Sequence, residues 1–163
     1  MLLLSWHATL LRLERGTLRL THAALPGMVQ RGKGAVINVS SVAAFSHRPG
    51  NTSYCATKAW MNSFTQGLDL ELRDIGSKVQ VQALCPGFTV TEFHDTLGID
   101  RNKIPAWLWM TAEQIVNASV RGLERRQTIV IPGWKYRIAA SVIKLLPWSI
   151  ARGLRRPGKD RRV

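Results

Sequence analysis

A chain of 163 residues with 45% apolar content can bury one sizeable core and is too apolar to stay disordered. Its net charge is +13, but Arg152, Arg155, Arg156, Lys159, Arg161 and Arg162 gather much of the excess at the C-terminal end, without the interleaved aromatics or recognisable module of a nucleic-acid binder. The two cysteines, Cys55 and Cys85, form no Cys-x-x-Cys pair, and His7, His22, His47 and His94 fall at no metal-ligand spacing, so neither a disulfide framework nor a metal site is expected and a reducing cytoplasm is the expected compartment.

The opening Met1-Leu2-Leu3-Leu4 lacks a basic leader, and Arg12, Glu14 and Arg15 follow without a small-residue cleavage site, so secretion is not expected. Apolar residues then recur at helical spacing, Leu18, Leu20, Ala24, Leu25 and Met28, which predicts a helix over 16–31 that stops at Arg31-Gly32-Lys33-Gly34. Pro26 is expected to kink or divide it. Residues 35–39 are short, β-branched and largely apolar, the composition of a strand buried on both faces of a parallel sheet, and Ser40 and Ser41 close it. After a loop at Pro49, Gly50 and Asn51, a helix over 53–75 carries Ala56, Ala59, Trp60, Phe64, Leu68 and Leu72 on or near one face and stops at Gly76. A second strand over 79–84 ends at Pro86-Gly87, and a weaker third over 128–131 ends at Pro132-Gly133. Strands alternating with helices predict an α/β fold, a parallel, doubly wound sheet of partial Rossmann-like type with helices on its faces in three α/β/α layers.

In such sheets ligands bind beyond the carboxyl ends of the strands, which directs attention to Ser40-Ser41 and Pro86-Gly87. Between them Tyr54 and Lys58 stand four apart on a helix and project from one face. A phenol with a reference pKa near ~10 is a poor base at neutral pH, and a neighbouring ammonium favours its ionised form. Each residue has an ordinary structural role as well: Ser41 can cap a strand, Tyr54 pack a helix and Lys58 solvate a surface.

Ser41, Tyr54 and Lys58 are preceded by Ile37-Asn38-Val39-Ser40 and followed by Pro86-Gly87-Phe88-Thr89-Val90-Thr91. In that conjunction the chain resembles the short-chain dehydrogenase/reductase family. The resemblance implies a nicotinamide cofactor, NAD or NADP with NADP slightly preferred, and a small alcohol or ketone substrate. Tyr54 would exchange a proton with the substrate oxygen, Ser41 would hydrogen-bond that oxygen, and Lys58 would depress the tyrosine pKa and hold the nicotinamide ribose. Ser40 would be a supporting residue. The Pro86-Gly87 turn would let backbone approach the nicotinamide, with Thr89 near the carboxamide and Thr91 toward the carboxamide or phosphates. The family also implies a homo-oligomer through the helices over 16–31 and 53–75.

The family's Thr-Gly-x-x-x-Gly-x-Gly turn, its Asn-Asn-Ala-Gly motif and its adenosine-reading residue do not occur here, and Leu13 stands where the family has an asparagine. The resemblance is expected to run from about Gly16 to about Glu92, leaving 1–15 atypical. The chain would then be a catalytic half without the dinucleotide-binding part, with further coding sequence expected upstream. The alternative is an inactive fragment serving as a dimerisation or membrane-associated module. The expected organisation is an atypical segment 1–15, the catalytic half 16–133, an amphipathic helix 134–156 and a basic tail 157–163. Lys144 and Pro147 interrupt that helix too early for a membrane span, which leaves two equal readings, an interfacial helix with peripheral membrane contact and a cover for the substrate pocket. Residues 93–110, with Trp107 and Trp109, match the family's substrate loop and suggest an apolar substrate.

Overall fold

The structure, a computed structural model, describes residues 2–47, 50–91, 104–146 and 150, and for the side chains of the first helix those from Arg12 onward. Residues 93–103 of the expected substrate loop over 93–110, the far end of the expected 134–156 helix and the basic tail lie outside the described residues.

The first helix, α1, spans Leu2–Gln30 and so begins well before the expected position near Gly16. It also continues through Pro26. Proline removes one amide from the ladder, but Leu25 and Met28, on either side of it, both pack against the buried cluster of Leu72, Val79 and Val81. Gly32, with φ 67°, ends the helix, and Lys33 N–H closes back onto the Met28 carbonyl at 3.2 Å.

Strand β1 is Ala35–Val39, a 3-10 turn follows at Val42–Phe45, and helix α2 is Thr52–Asp74. Strand β2 is Gln80–Leu84, helix α3 is Ala112–Glu124, strand β3 is Ile129–Val130 and helix α4 is Trp134–Leu145. Among the described residues the strands lie in the order β1-β2-β3, all parallel, with Ala35 opposite Gln80 and Ala83 opposite Ile129. Helix α3 has no counterpart among the expected elements. Its start is nevertheless written in the sequence: the Thr111 hydroxyl accepts from Gln114 N–H at 3.2 Å, and the Gln114 side chain accepts from Thr111 N–H at 3.0 Å, a reciprocal capping box.

Side chains alternate across the sheet. Val79 and Val81 face α1 and α2, joined by Leu25, Met28, Val36 and Leu68. Leu84 faces the other way, against Ile115 of α3 and Val130. These are the three expected layers. Gln82 shares the α3 face and is fully buried; its amide donates to the Ser119 carbonyl at 3.1 Å and accepts from the Ser119 hydroxyl at 2.6 Å. β1 departs from the expectation of burial on both faces. Ile37 is 40% and Val39 57% exposed, because α3 covers β2 and β3 rather than β1.

Gly122 lets α3 approach the sheet closely. A Cβ there would stand 2.4 Å from Val130 Cγ2 and 2.9 Å from Gln82 Nε2. Gly122→Ala should therefore lower the unfolding free energy by about 1–3 kcal/mol through overpacking, measured by urea titration. Gly67→Ala, where a Cβ meets nothing within 4 Å on an exposed part of α2, should instead raise it by up to about 1 kcal/mol.

Candidate active site

The carboxyl ends of β1 and β2 finish side by side. Ser40 N–H donates to the Leu84 carbonyl at 2.7 Å, and Val42 N–H to the Pro86 carbonyl at 3.0 Å, so the two segments leaving the strands start from one zipped edge. The Ser41 hydroxyl accepts from Ala43 N–H at 3.1 Å and caps the 3-10 turn. A hydroxyl that accepts here keeps its own hydrogen to donate elsewhere. The adjacent Ser40 hydroxyl donates to the Lys58 carbonyl at 3.0 Å, which pins the first turns of α2 to the strand end.

Tyr54 lies in the first turn of α2 and is 38% exposed. Lys58 follows one turn later, half-buried, with its Nζ 5.8 Å from the centroid of the Tyr54 ring. That ammonium donates to the Val39 carbonyl at 2.7 Å. In a parallel ladder successive residues bond on opposite sides, and the Gly34 carbonyl and Ser40 N–H bond toward β2. The Val39 carbonyl therefore points to the other edge of β1, and Lys58 covers it. Burial lowers the Lys58 pKa from its ordinary value, and negative charge on Cys85 opposes that shift.

Cys85 sits behind this arrangement with no exposed surface. Burial pushes its thiol up to about 11, against the smaller opposing effects of the neighbouring Ser40 and Asn62 side chains and the positive charge of Lys144. The thiol lies 3.4 Å from Asn62 Oδ1 and 3.7 Å from the Ala83 carbonyl. Among the described residues Thr57 Oγ1 and Asn62 Nδ2 are buried without a hydrogen-bond partner.

The segment leaving β2 is held by a residue that sequence reasoning did not single out, Tyr136 of α4. Its hydroxyl accepts from Phe88 N–H at 3.0 Å and donates to the Leu108 carbonyl at 2.6 Å. Burial raises its pKa, which keeps the donating proton in place. A Cβ at Gly87 would fall 2.1–2.4 Å from the Tyr136 ring, so the absence of a side chain at this glycine is what lets the ring pack against it. Nothing in the spacing of residues 48 positions apart signals this contact. Thr89 donates its hydroxyl to the Gly87 carbonyl at 3.1 Å, and Thr91 is exposed at the end of the segment. Val90 N–H to the Met110 carbonyl and Met110 N–H to the Phe88 carbonyl, both at 2.9 Å, join the segment to the residues around Trp109. The Phe88 and Trp109 rings are 5.5 Å apart and tilted by 48°.

A family model described as short chain dehydrogenase matches residues 5–102, more than half of the chain. The match begins at residue 5 and ends at 102, wider on both sides than the expected run from about Gly16 to about Glu92. An uncharacterized oxidoreductase of Myxococcus xanthus is 32% identical over 125 residues, covering 77% of this chain and 47% of the relative. The chain thus spans about half the length of that curated relative. Among solved structures, a short-chain dehydrogenase from Sphingobium yanoikuyae in complex with NADPH is 32% identical with a TM-score of 0.65, over 90% of this chain and 56% of that one. One from Burkholderia cenocepacia in complex with NADP is 27% identical with a TM-score of 0.75, over 93% of this chain and 60% of that one.

Tyr136→Phe keeps the ring against Gly87 but strips Phe88 N–H and the Leu108 carbonyl of their shared partner. It should cost about 1–3 kcal/mol and speed amide exchange at Phe88, read by mass spectrometry or NMR. Cys85 makes a separate prediction. Its folded pKa of about 11 lies above the ordinary 9.0, so its contribution to stability is complete below pH 9 and is lost as the pH rises through 11. Urea titrations between pH 8 and 11 should show a steeper loss of stability for the wild-type chain than for Cys85→Ala.

Proposed function

The chain belongs to the short-chain dehydrogenase/reductase family, and from that premise we propose that it carries the catalytic half of an NAD(P)-dependent oxidoreductase acting reversibly on an alcohol or ketone. The observation that carries this reading is the Lys58 ammonium beside the Tyr54 ring at the end of the strand that Ser41 closes.

The donor set suits the nicotinamide end of such a cofactor. Lys58 has three N–H donors and commits one to Val39, which leaves others for ribose hydroxyls. Thr89 and Thr91 place hydroxyls on the segment after Pro86-Gly87. When bound, the nicotinamide supplies or accepts the hydride. The chain's own residues handle the proton. In reduction Tyr54 gives its phenolic proton to the substrate oxygen while Ser41 donates a hydrogen bond to the same atom; in oxidation Tyr54 takes the proton back. Lys58 stands beside Tyr54 in both directions, its Nζ 5.8 Å from the ring centroid. The NADPH and NADP complexes of the two similar structures support the lean toward NADP. Phe88 in the Pro86–Thr91 segment, with Trp109 and Met110 beside it, favours an apolar substrate. A homo-oligomer is part of the same reading, through α1 and α2, whose outward groove is lined by Leu25, Val29, Leu68 and Ile75.

The test is a calorimetric titration of the chain with NADPH and NADH beside Tyr54→Phe. Saturable binding by both proteins is expected, with turnover of a ketone panel reduced about 10²–10⁴-fold in the variant. A folded chain that binds neither cofactor would overturn the proposal.

A further inference from the structure

Helix α4 has two apolar faces. The inner one carries Ala140, 3% exposed, and Tyr136, bonded into the site. The outer one carries Trp134, Ile138, Val142 and Leu145, which are 62%, 55%, 50% and 83% exposed. Spacings of four, four and three place these side chains on one narrow stripe about 17 Å long. Basic residues border it. Lys135 lies on one flank, its Nζ 4.5 Å from the Trp107 ring centroid and 5.7 Å from that of Trp134. Arg137 and Lys144 lie on the other, Lys144 reaching back over the Phe45 ring at 4.6 Å. Trp107, itself 60% exposed, widens the apolar area beside Lys135. From residue 125 to the end the sequence holds eleven Lys and Arg against one acidic residue, Asp160.

We propose that this outer face of α4 lies in the headgroup region of an anionic lipid surface. An exposed apolar stripe with an aromatic end and basic edges is the composition of an interfacial helix: the stripe enters the acyl boundary, and the long basic side chains reach back to lipid phosphates. No helix among the described residues is long and apolar enough to cross a membrane. Pocket cover does not account for the stripe, because α4 turns Tyr136 and Ala140 toward the body and these four residues away from it. A second copy docked on the same face would set one basic border against another, a like-charge arrangement that opposes association. An anionic surface meets both borders with opposite charge. The inference goes beyond the redox reading and does not depend on it.

Vesicle flotation of the full chain tests it, with phosphatidylcholine vesicles against vesicles containing phosphatidylserine, beside the double variant Ile138→Glu, Val142→Glu. Both substituted positions are half or more exposed, so the variant's circular dichroism melt should match that of the wild type. The expected result is binding to the anionic vesicles at least about ten-fold stronger than to neutral ones, weakened by salt, with a blue shift of tryptophan emission. The variant should lose about ten-fold or more. Absence of binding overturns the proposal. So does undiminished binding by the variant, which would assign the affinity to the basic residues beyond α4. Sedimentation showing a dimer that the variant abolishes would assign the face to a second copy and equally overturn it.

Discussion

The parallel pairing of β1 with β2 is the constraint on which the rest of the site depends. The pairing runs from Ala35 opposite Gln80 to Val39 opposite Leu84, and it is extended past the strands by Ser40 to Leu84 and Val42 to Pro86. Because both strands run the same way, their following segments emerge at one edge, and side chains far apart in sequence meet there. A slip of one residue would turn every side chain of a strand to the other face. It would separate Val36 from the α2 cluster and remove the Ser40 hydroxyl from the Lys58 carbonyl.

Buried polar pairs fix that register more sharply than apolar packing does. Asn38 donates to the Thr65 hydroxyl at 3.0 Å on the α2 side, and Gln82 exchanges two hydrogen bonds with Ser119 on the α3 side. An unpartnered buried amide costs about 1–3 kcal/mol, so each alternative register that breaks such a pair is penalised. Apolar neighbours such as Val36 and Val81 tolerate small displacements far better. Asp69, which accepts from Arg73 Nε at 2.9 Å and from the Thr128 hydroxyl at 2.7 Å, adds a tie between α2 and the entry to β3.

Much of this was legible in the sequence for a definable reason. Residues 35–39 and 79–84 read as strands, and 53–75 as a helix, because their patterns are local and strong; the observed bounds differ by one residue or none. Tyr54 and Lys58 share a face because four residues nearly complete a helical turn. Features set by tertiary contact were not legible. The continuity of α1 through Pro26 comes from packing of Leu25 and Met28 on α2 and β2. The exposure of Ile37 and Val39 comes from where α3 lies, and the role of Tyr136 from a contact spanning almost a third of the chain. α3 is a different kind of miss, since Thr111-x-x-Gln114 carries its start signal in plain sight.

Lys58 joins the strand edge to the candidate site. Its ammonium caps the Val39 carbonyl on the side of β1 away from β2, an edge that no strand covers among the described residues and that would otherwise invite pairing with another strand. A lysine at such an edge opposes that pairing, since a charged side chain must be desolvated before a second strand can settle. The same ammonium stands 5.8 Å from the centroid of the Tyr54 ring. Burial weakens its hold on a proton, and negative charge on Cys85 opposes that shift. The carbonyl that leaves β1 in need of a partner thus helps to hold the Lys58 side chain next to Tyr54.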